Sequence, residues 1–289
     1  MTSQIWYAVL ASALLILLVG GLVLGSRRFF ANRSKLGAQA KHWWRRLLAT
    51  RTLERIRARY PRTWAFVAAR FARGEYLGLH LTVGLAVSLA GLWIFAGVTE
   101  DVIHHDPLTE FDLTLLAWLQ AHAGPTGKTI FGAITTFGSP LAMILLAGVV
   151  AILLAIQRRG LLLEGWLIAF LGGGVLNEAL KRAIHRPRPP HSSVLSGQSW
   201  SFPSGHAMGS LIGYGMLAYV IIVLGTKDRR TRVAVILCTA VLVLAIGVSR
   251  LYLGVHYFSD VVGGYAAGAL WLSACISGLE IARGWREPE

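Results

Sequence analysis

Two histidines, an aspartate and several fixed cations fall in three short stretches of this sequence. The first, KRAIHRPRP, sets six residues between Lys181 and Arg188. The second, PSGH, runs from Pro203 to His206. The third, SRLYLGVHYFSD, sets five residues between Arg250 and His256, and three more before Asp260. Each residue type has a use in handling a phosphate group. Lys181, Arg188 and Arg250 supply positive charge, and an arginine grips two phosphate oxygens at once. Pro187, Pro189, Pro190 and Pro203 hold their loops extended. Ser204 is placed to cap a helix beginning near His206. The free backbone N–H groups of Gly205 and His206 then point at whatever lies before that helix, and Gly205 permits close approach. His256 and Asp260 stand four apart, on one face if the segment is helical. A carboxylate there holds one imidazole nitrogen protonated and leaves the other free to attack.

Each residue also has a plain reading. Ser204 and Gly205 suit any helix start, lysine and arginine at the end of a span reach for headgroups, and Asp260 alone is a helix cap. Three spaced clusters together outweigh those readings. His104 and His105, with Asp106, offer too few ligands for a metal. Asn177 and Glu178 precede Lys181 and are placed to orient it. Gly172, Gly173 and Gly174 lie inside an apolar run, where glycine serves close helix packing.

The elements that position these clusters are membrane helices. Of 289 residues, 55% are hydrophobic and 15% charged, where a soluble domain carries nearer a quarter charged. Continuous apolar runs at 5–25, 77–98, 130–156, 161–180, 207–224, 233–248 and 261–281 have about the length that spans a bilayer as helix. Their continuity excludes the alternation of strands. The expected fold class is all-α: a polytopic helical bundle of six spans preceded by one N-terminal span. Cys238 and Cys275 lie inside apolar runs, as packed side chains do.

Basic residues fill alternate connections: 26–73, 157–160, 226–232 and the tail. Such loops lie in the cytoplasm. The remaining connections, and all three clusters with them, then face the outside. This topology comes from charge alone, yet it gathers the clusters at one face. The basic groups between Lys181 and His206 break the charge rule, and anion binding gives a reason for them. Residues 26–75 hold 14 Lys and Arg against 2 acids. The stretch between Ser26 and Arg73 reads either as a solvated hairpin or as an interfacial segment on the anionic inner leaflet, with Trp43, Trp44, Trp64 and Phe66 at the boundary. Nucleic-acid binding does not fit a chain with these anchors. The expected organisation is an anchor at 1–25, a basic segment at 26–75, a six-span core at 76–282 and a tail at 283–289. The first run has no cleavage site after it and reads as an uncleaved anchor. Residues 111–122 are expected as an interfacial helix near the entrance to the site.

The three clusters resemble the signature of the type 2 phosphatidic acid phosphatase family, whose catalytic fold is shared with the vanadium haloperoxidases. The match takes in Lys181, Arg188, Pro189, Pro203, Ser204, Gly205, His206, Ser249, Arg250, His256 and Asp260, over residues 76–282; residues 1–75 look like an addition. The resemblance implies that His256 is the nucleophile and forms a phosphohistidine. Asp260 would orient it, and His206 would protonate the leaving oxygen and then activate water. Lys181, Arg188, Ser204, Gly205 and Arg250 would hold the phosphoryl oxygens, with no metal or other cofactor. The expectation is a membrane lipid phosphatase at the outer leaflet of the cell membrane. Its substrate would be of the undecaprenyl diphosphate, phosphatidylglycerophosphate or phosphatidic acid class. Two alternatives stay open: a phosphotransferase using the same phosphohistidine, and a non-catalytic lipid-binding or flipping protein. The soluble haloperoxidases are a poor match to so apolar a chain.

Overall fold

Pro107, Pro125 and Pro140 each stand in the first turn of a helix, where the missing N–H would have no intrahelical partner and the fixed φ suits the turn. The computed structural model describes Arg59 and residues 76–104, 106–190, 200–225 and 228–286. These form helices α1 (Tyr76–His104), α2 (Pro107–His122), α3 (Pro125–Thr136), α4 (Pro140–Ile156), α5 (Gly160–Ile184), α6 (Gly205–Gly225), α7 (Arg229–Tyr252) and α8 (Phe258–Arg286). Six stretches among the described residues are long and apolar enough to cross a membrane. The expected first span at 5–25 and, Arg59 apart, the basic segment lie outside the described residues.

The apolar run expected at 130–156 is not one helix. It belongs to a 32-residue stretch, Pro125–Ile156, that breaks between α3 and α4. Pro140 has no N–H to give, and its ring would clash with the carbonyl of Thr136, four residues back. Ser139 caps the restart by accepting from Ala142 N at 3.3 Å. The freed carbonyl of Phe137 accepts from the Tyr214 hydroxyl at 2.8 Å, so the break leaves that half-buried acceptor satisfied.

Helix α8 is the hub and packs against α1, α5 and α6. Glycines let it come close. A Cβ on Gly91 of α1 would lie 2.9 Å from the Ala266 carbonyl oxygen, and one on Gly264 of α8 would lie 2.8 Å from that of Ser204. Gly172 and Gly173 face Trp271 and Ile212 at similarly short range, the packing role expected of them, whereas a Cβ on Gly174 would meet nothing within 4 Å. Trp166, Met208, Ile212, Met216 and Leu279 form the centre of the core. Large apolar side chains point outward instead of in: Trp93 is 78% exposed and Val175 71%. The fully buried set includes Ser201, Ser204, Ser249 and Asp260. Apolar outside and polar within, on six spans, is the pattern of a multi-pass membrane protein, whose outer surface meets lipid.

Helix α2 differs from expectation in its job. Phe111, Leu113 and Trp118 are exposed along it, as an interfacial helix requires, but Asp112 is buried. That carboxylate is fixed to Arg186 and to the first turn of α8. It holds α2 behind the polar centre, away from the cavity described next.

Candidate active site

Helix α5 ends where His185 turns left-handed, φ 54°. The turn sends the RPRP stretch across to the α7–α8 connection. There Arg188 NH1 donates to the Val255 carbonyl at 3.1 Å and approaches His256 Nε2 at 3.3 Å. The connection turns tightly through Gly254, φ 67°, a conformation glycine adopts without strain. The PSGH stretch is tied in from the other side, since Ser204 N donates to the Asp260 carbonyl oxygen at 2.9 Å. The three clusters therefore meet at one end of the bundle.

His256 Nδ1 lies 3.1 Å from Asp260 Oδ2. An arginine only donates, so His256 Nε2 accepts from Arg188 and the ring proton sits on Nδ1, facing Asp260. Asp260 is held further by Tyr257 N at 2.9 Å, by the Ser201 hydroxyl and by Arg186 NH1 at 2.7 Å. Burial pushes the His256 pKa down to about 4, although Asp260 pulls the other way. The imidazole is therefore neutral at physiological pH, with the Nε2 lone pair turned toward Arg188. Burial also lowers the pKa of Arg188, and Asp260 offsets part of that; a guanidinium keeps its charge regardless.

A cavity of about 640 Å³ opens in front of these groups. Lys181, Arg188, Gly205, His206, Arg250 and His256 line its polar end, and Met143, Ile144, Phe170, Leu171 and Ile212 its apolar part. A Cβ on Gly205 would lie 3.1 Å from Asn177 Oδ1 and 3.7 Å from Lys181 Nζ, so Lys181 stands beside the start of α6. Arg250 is steadied by Thr135 at 2.8 Å, the last turn of α3 before the break. Two buried polar groups here, the Ser204 hydroxyl and Arg250 Nε, have no hydrogen-bond partner among the described residues. Unpaired buried groups are rare and destabilising.

Every expected site residue except Ser204 and Asp260 lines the cavity, and Asp260 acts on it through His256. The Ser204 hydroxyl does not cap α6, contrary to expectation. The backbone N–H of Ser204 donates to Asp260 and its carbonyl accepts from Met208 N, while the side chain is buried without a partner among the described residues. The hydrogen bonds of Asn177 and Glu178 go to residues other than Lys181. Asn177 donates to Met208 Sδ at 3.4 Å, and the exposed Glu178 pairs with Arg182. His104 is exposed and bonds the Glu100 carbonyl, and His105 lies outside the described residues. The apolar wall of the cavity comes from α4, α5 and α6, while Asp112, Leu115, Leu116 and Leu119 of α2 border a smaller pocket behind His256. Sequence reasoning passed over Asp112, Arg186, Ser201, Ser259 and Thr135.

The sequence model of the PAP2 superfamily matches residues 163–281. Phosphatidylglycerophosphatase B of Bacillus subtilis (strain 168) is 35% identical over 148 residues, which is 50% of this chain and 68% of that protein. A lipid A 1-phosphatase of Rhizobium johnstonii is 38% identical over 110 residues, 35% of this chain and 40% of that protein. Among solved structures, the transmembrane PAP2 type phosphatidylglycerolphosphate phosphatase from Bacillus subtilis superposes with a TM-score of 0.58 at 24% identity, over 71% of this chain and 98% of that one. The matched segment holds all three clusters, and the chain belongs to the PAP2 superfamily.

Proposed function

We propose that this protein is a membrane lipid phosphatase that removes a phosphate from a lipid phosphomonoester or diphosphate through a phosphohistidine on His256. One observation carries the reading: a cationic, hydrogen-bond-hungry pocket closes the end of an apolar cavity. Lys181, Arg188 and Arg250 converge there, Arg250 with an unpaired Nε, and the unpaired hydroxyl of Ser204 sits one residue before the lining Gly205. A phosphoryl group supplies the missing acceptors. The apolar lining residues Ile144 and Leu171 are also exposed on the lipid-facing surface. A hydrocarbon tail can thus stay in the bilayer while its headgroup reaches His256. The relatives are named for lipid phosphates of two different kinds, which supports the broad substrate class.

The chemistry follows from the geometry. The His256 Nε2 lone pair attacks phosphorus, the bond to the leaving oxygen breaks, and His206 gives that oxygen a proton. Arg188, already beside Nε2, exchanges the ring nitrogen for a phosphoryl oxygen. Lys181, Arg250, Ser204 and the N–H of Gly205 stabilise the charge spread over the other oxygens. Asp260 steadies the imidazolium. His206 then takes a proton from water as its oxygen attacks phosphorus; the N–P bond breaks, its electron pair returns to His256 Nε2, and phosphate leaves. The cations and N–H groups do the work a metal does elsewhere.

The basic loops at 157–160 and 226–232 support an outer-leaflet site in the cell membrane, facing the periplasm or exterior. The organisation goes with it: an anchor at 1–25, a basic segment at 26–75 resting on the anionic inner leaflet, the six-span core at 76–282 and a tail at 283–289. The test is phosphate release by purified protein from a panel of lipid phosphates and diphosphates with EDTA present. Turnover of at least one long-chain lipid phosphate is expected. No release from any, or release only with added divalent metal, would contradict the reading.

A further inference from the structure

Arg186 is held between two buried carboxylates. Its NH1 donates to Asp260 Oδ1 at 2.7 Å, and its NH2 to Asp112 Oδ2 at 2.8 Å. Both carboxylates are fully buried and the guanidinium nearly so. Its face covers the Tyr257 ring at 4.3 Å. Asp112 in turn accepts from Ser259 N at 2.9 Å and from the Ser259 hydroxyl, and Ser259 also accepts from Arg186 NH1 at 2.6 Å. One chain of charged contacts thus runs from α2 through Arg186 to the His256–Asp260 pair.

The charges in that chain have a consequence. An arginine alone beside Asp260 would fix the carboxylate but cancel its charge, and a cancelled carboxylate does little for an imidazolium. A second carboxylate on the far side of the arginine restores the balance. The three groups together then present one net negative charge to His256. Burial away from water makes that charge count for more than it would at the surface.

We propose that Asp112 and Arg186 are positioning residues for the reaction. Arg186 fixes the orientation of the Asp260 carboxylate, and Asp112 balances Arg186 so that Asp260 keeps its charge toward His256. The proposal rests on the phosphohistidine reading. In that step the Nε2 lone pair becomes the N–P bond, and the P–O bonding pair leaves with the oxygen protonated by His206. The ring, still protonated on Nδ1, becomes cationic. The net negative charge behind it stabilises that cation, and ground-state phosphate binding is left to the cavity cations.

The experiment is rapid-quench labelling of the purified full chain with a radiolabelled aryl phosphate, alongside inhibition by inorganic phosphate and thermal unfolding. Asp112→Asn keeps the shape and removes the charge. Its phosphoenzyme should form roughly ten- to a hundred-fold more slowly, by analogy with the loss of an outer partner of a metal-bound imidazole. Inhibition by phosphate should stay within about twofold of wild type. Arg186→Lys keeps the charge but not the two-pronged bridge, and should also slow labelling without weakening phosphate inhibition. Adding Arg186→Gln to Asp112→Asn restores the net charge, so the double variant should label faster than Asp112→Asn alone. A purely structural role gives the opposite order, with the double variant the slower. Labelling of Asp112→Asn at the wild-type rate, or a double variant no faster than the single, would overturn the proposal. Wild-type protein that takes no label overturns the phosphohistidine reading itself, and this proposal with it.

Discussion

Arg188 places NH1 3.3 Å from His256 Nε2, the ring nitrogen that Asp260 leaves free. On the proposed reaction, a cation so close to the attacking lone pair marks where the electrophile comes, since the phosphoryl oxygens carry the charge that Arg188 would meet. Replacing Arg188 by Ala should lower kcat/KM by about a hundred- to a thousand-fold, the range for losing a donor that faces developing charge. Arg188→Lys should recover only part of this, because an ammonium cannot bridge two oxygens. Steady-state kinetics on an aryl phosphate decides it; a variant within tenfold of wild type would move Arg188 out of the site.

The Ser204 hydroxyl is buried and has no partner within the described residues. Its removal therefore breaks no bond in the folded protein. Ser204→Ala should unfold at the same temperature as wild type or slightly higher, yet bind orthovanadate about tenfold or more weakly, the worth of a hydrogen bond to a charged group. Thermal unfolding and vanadate inhibition on the same preparation separate the two effects. Loss of stability with unchanged inhibition would make Ser204 structural.

His256 has a pKa of about 4, lowered by burial. A base whose folded pKa is lowered stays neutral until the pH falls to that value, and only the neutral ring can attack. Its favourable neutral form is present above the unfolded value of about 6.5 and its contribution to stability is lost between there and about 4 as pH falls. Nitrogen-15 spectra of imidazole-labelled protein should show His256 as the neutral Nδ1–H form at pH 7 and still so at pH 5.5. A protonated ring at pH 5.5 would contradict the burial assigned to it.

Gly174 lines the cavity, and a Cβ there would meet nothing within 4 Å. A large side chain at this position fills the apolar part without touching the cations. Gly174→Leu should cut turnover of a long-chain lipid phosphate tenfold or more while leaving a water-soluble aryl phosphate within a factor of about two. Equal losses on both substrates would mean that the cavity does not hold the tail.

The orientation makes a prediction of its own. Single cysteines placed in the 99–128 region should react with a membrane-impermeant thiol reagent in intact cells, and those placed at 226–232 should not. The reverse pattern would put the site on the cytoplasmic side.

The sequence made His206, Arg250, His256 and Asp260 legible because their spacing is local and their helices announce themselves as apolar runs. The six spans needed only the apolar runs. Arg186 was hidden because it looks like Arg188 two positions on, and only the fold sends one guanidinium to Asp260 and the other to the cavity. Asp112 was hidden for a different reason. Its partner Arg186 lies 74 residues away, and in sequence it reads as one more acid in an outer loop. The break between α3 and α4 was marked by Pro140, but hydropathy runs straight through it. That break brings Thr135 to Arg250, a contact no local pattern encodes. The idle hydroxyl of Ser204 could not be read either, because serine before glycine suits an ordinary cap.

The covalent step is tested most directly by rapid-quench labelling with a radiolabelled aryl phosphate, followed by mapping of the label. Wild-type protein should carry acid-labile, base-stable label on His256. His256→Ala should carry none. His206→Ala should accumulate the label, because an aryl oxide leaves with little help whereas water still needs a base. General acid–base assistance is worth roughly a hundred- to ten-thousand-fold, so the accumulation should be plain on the time scale of the quench. Label on His256→Ala protein, or label mapped to position 206, would contradict the assignment of His256 as the nucleophile.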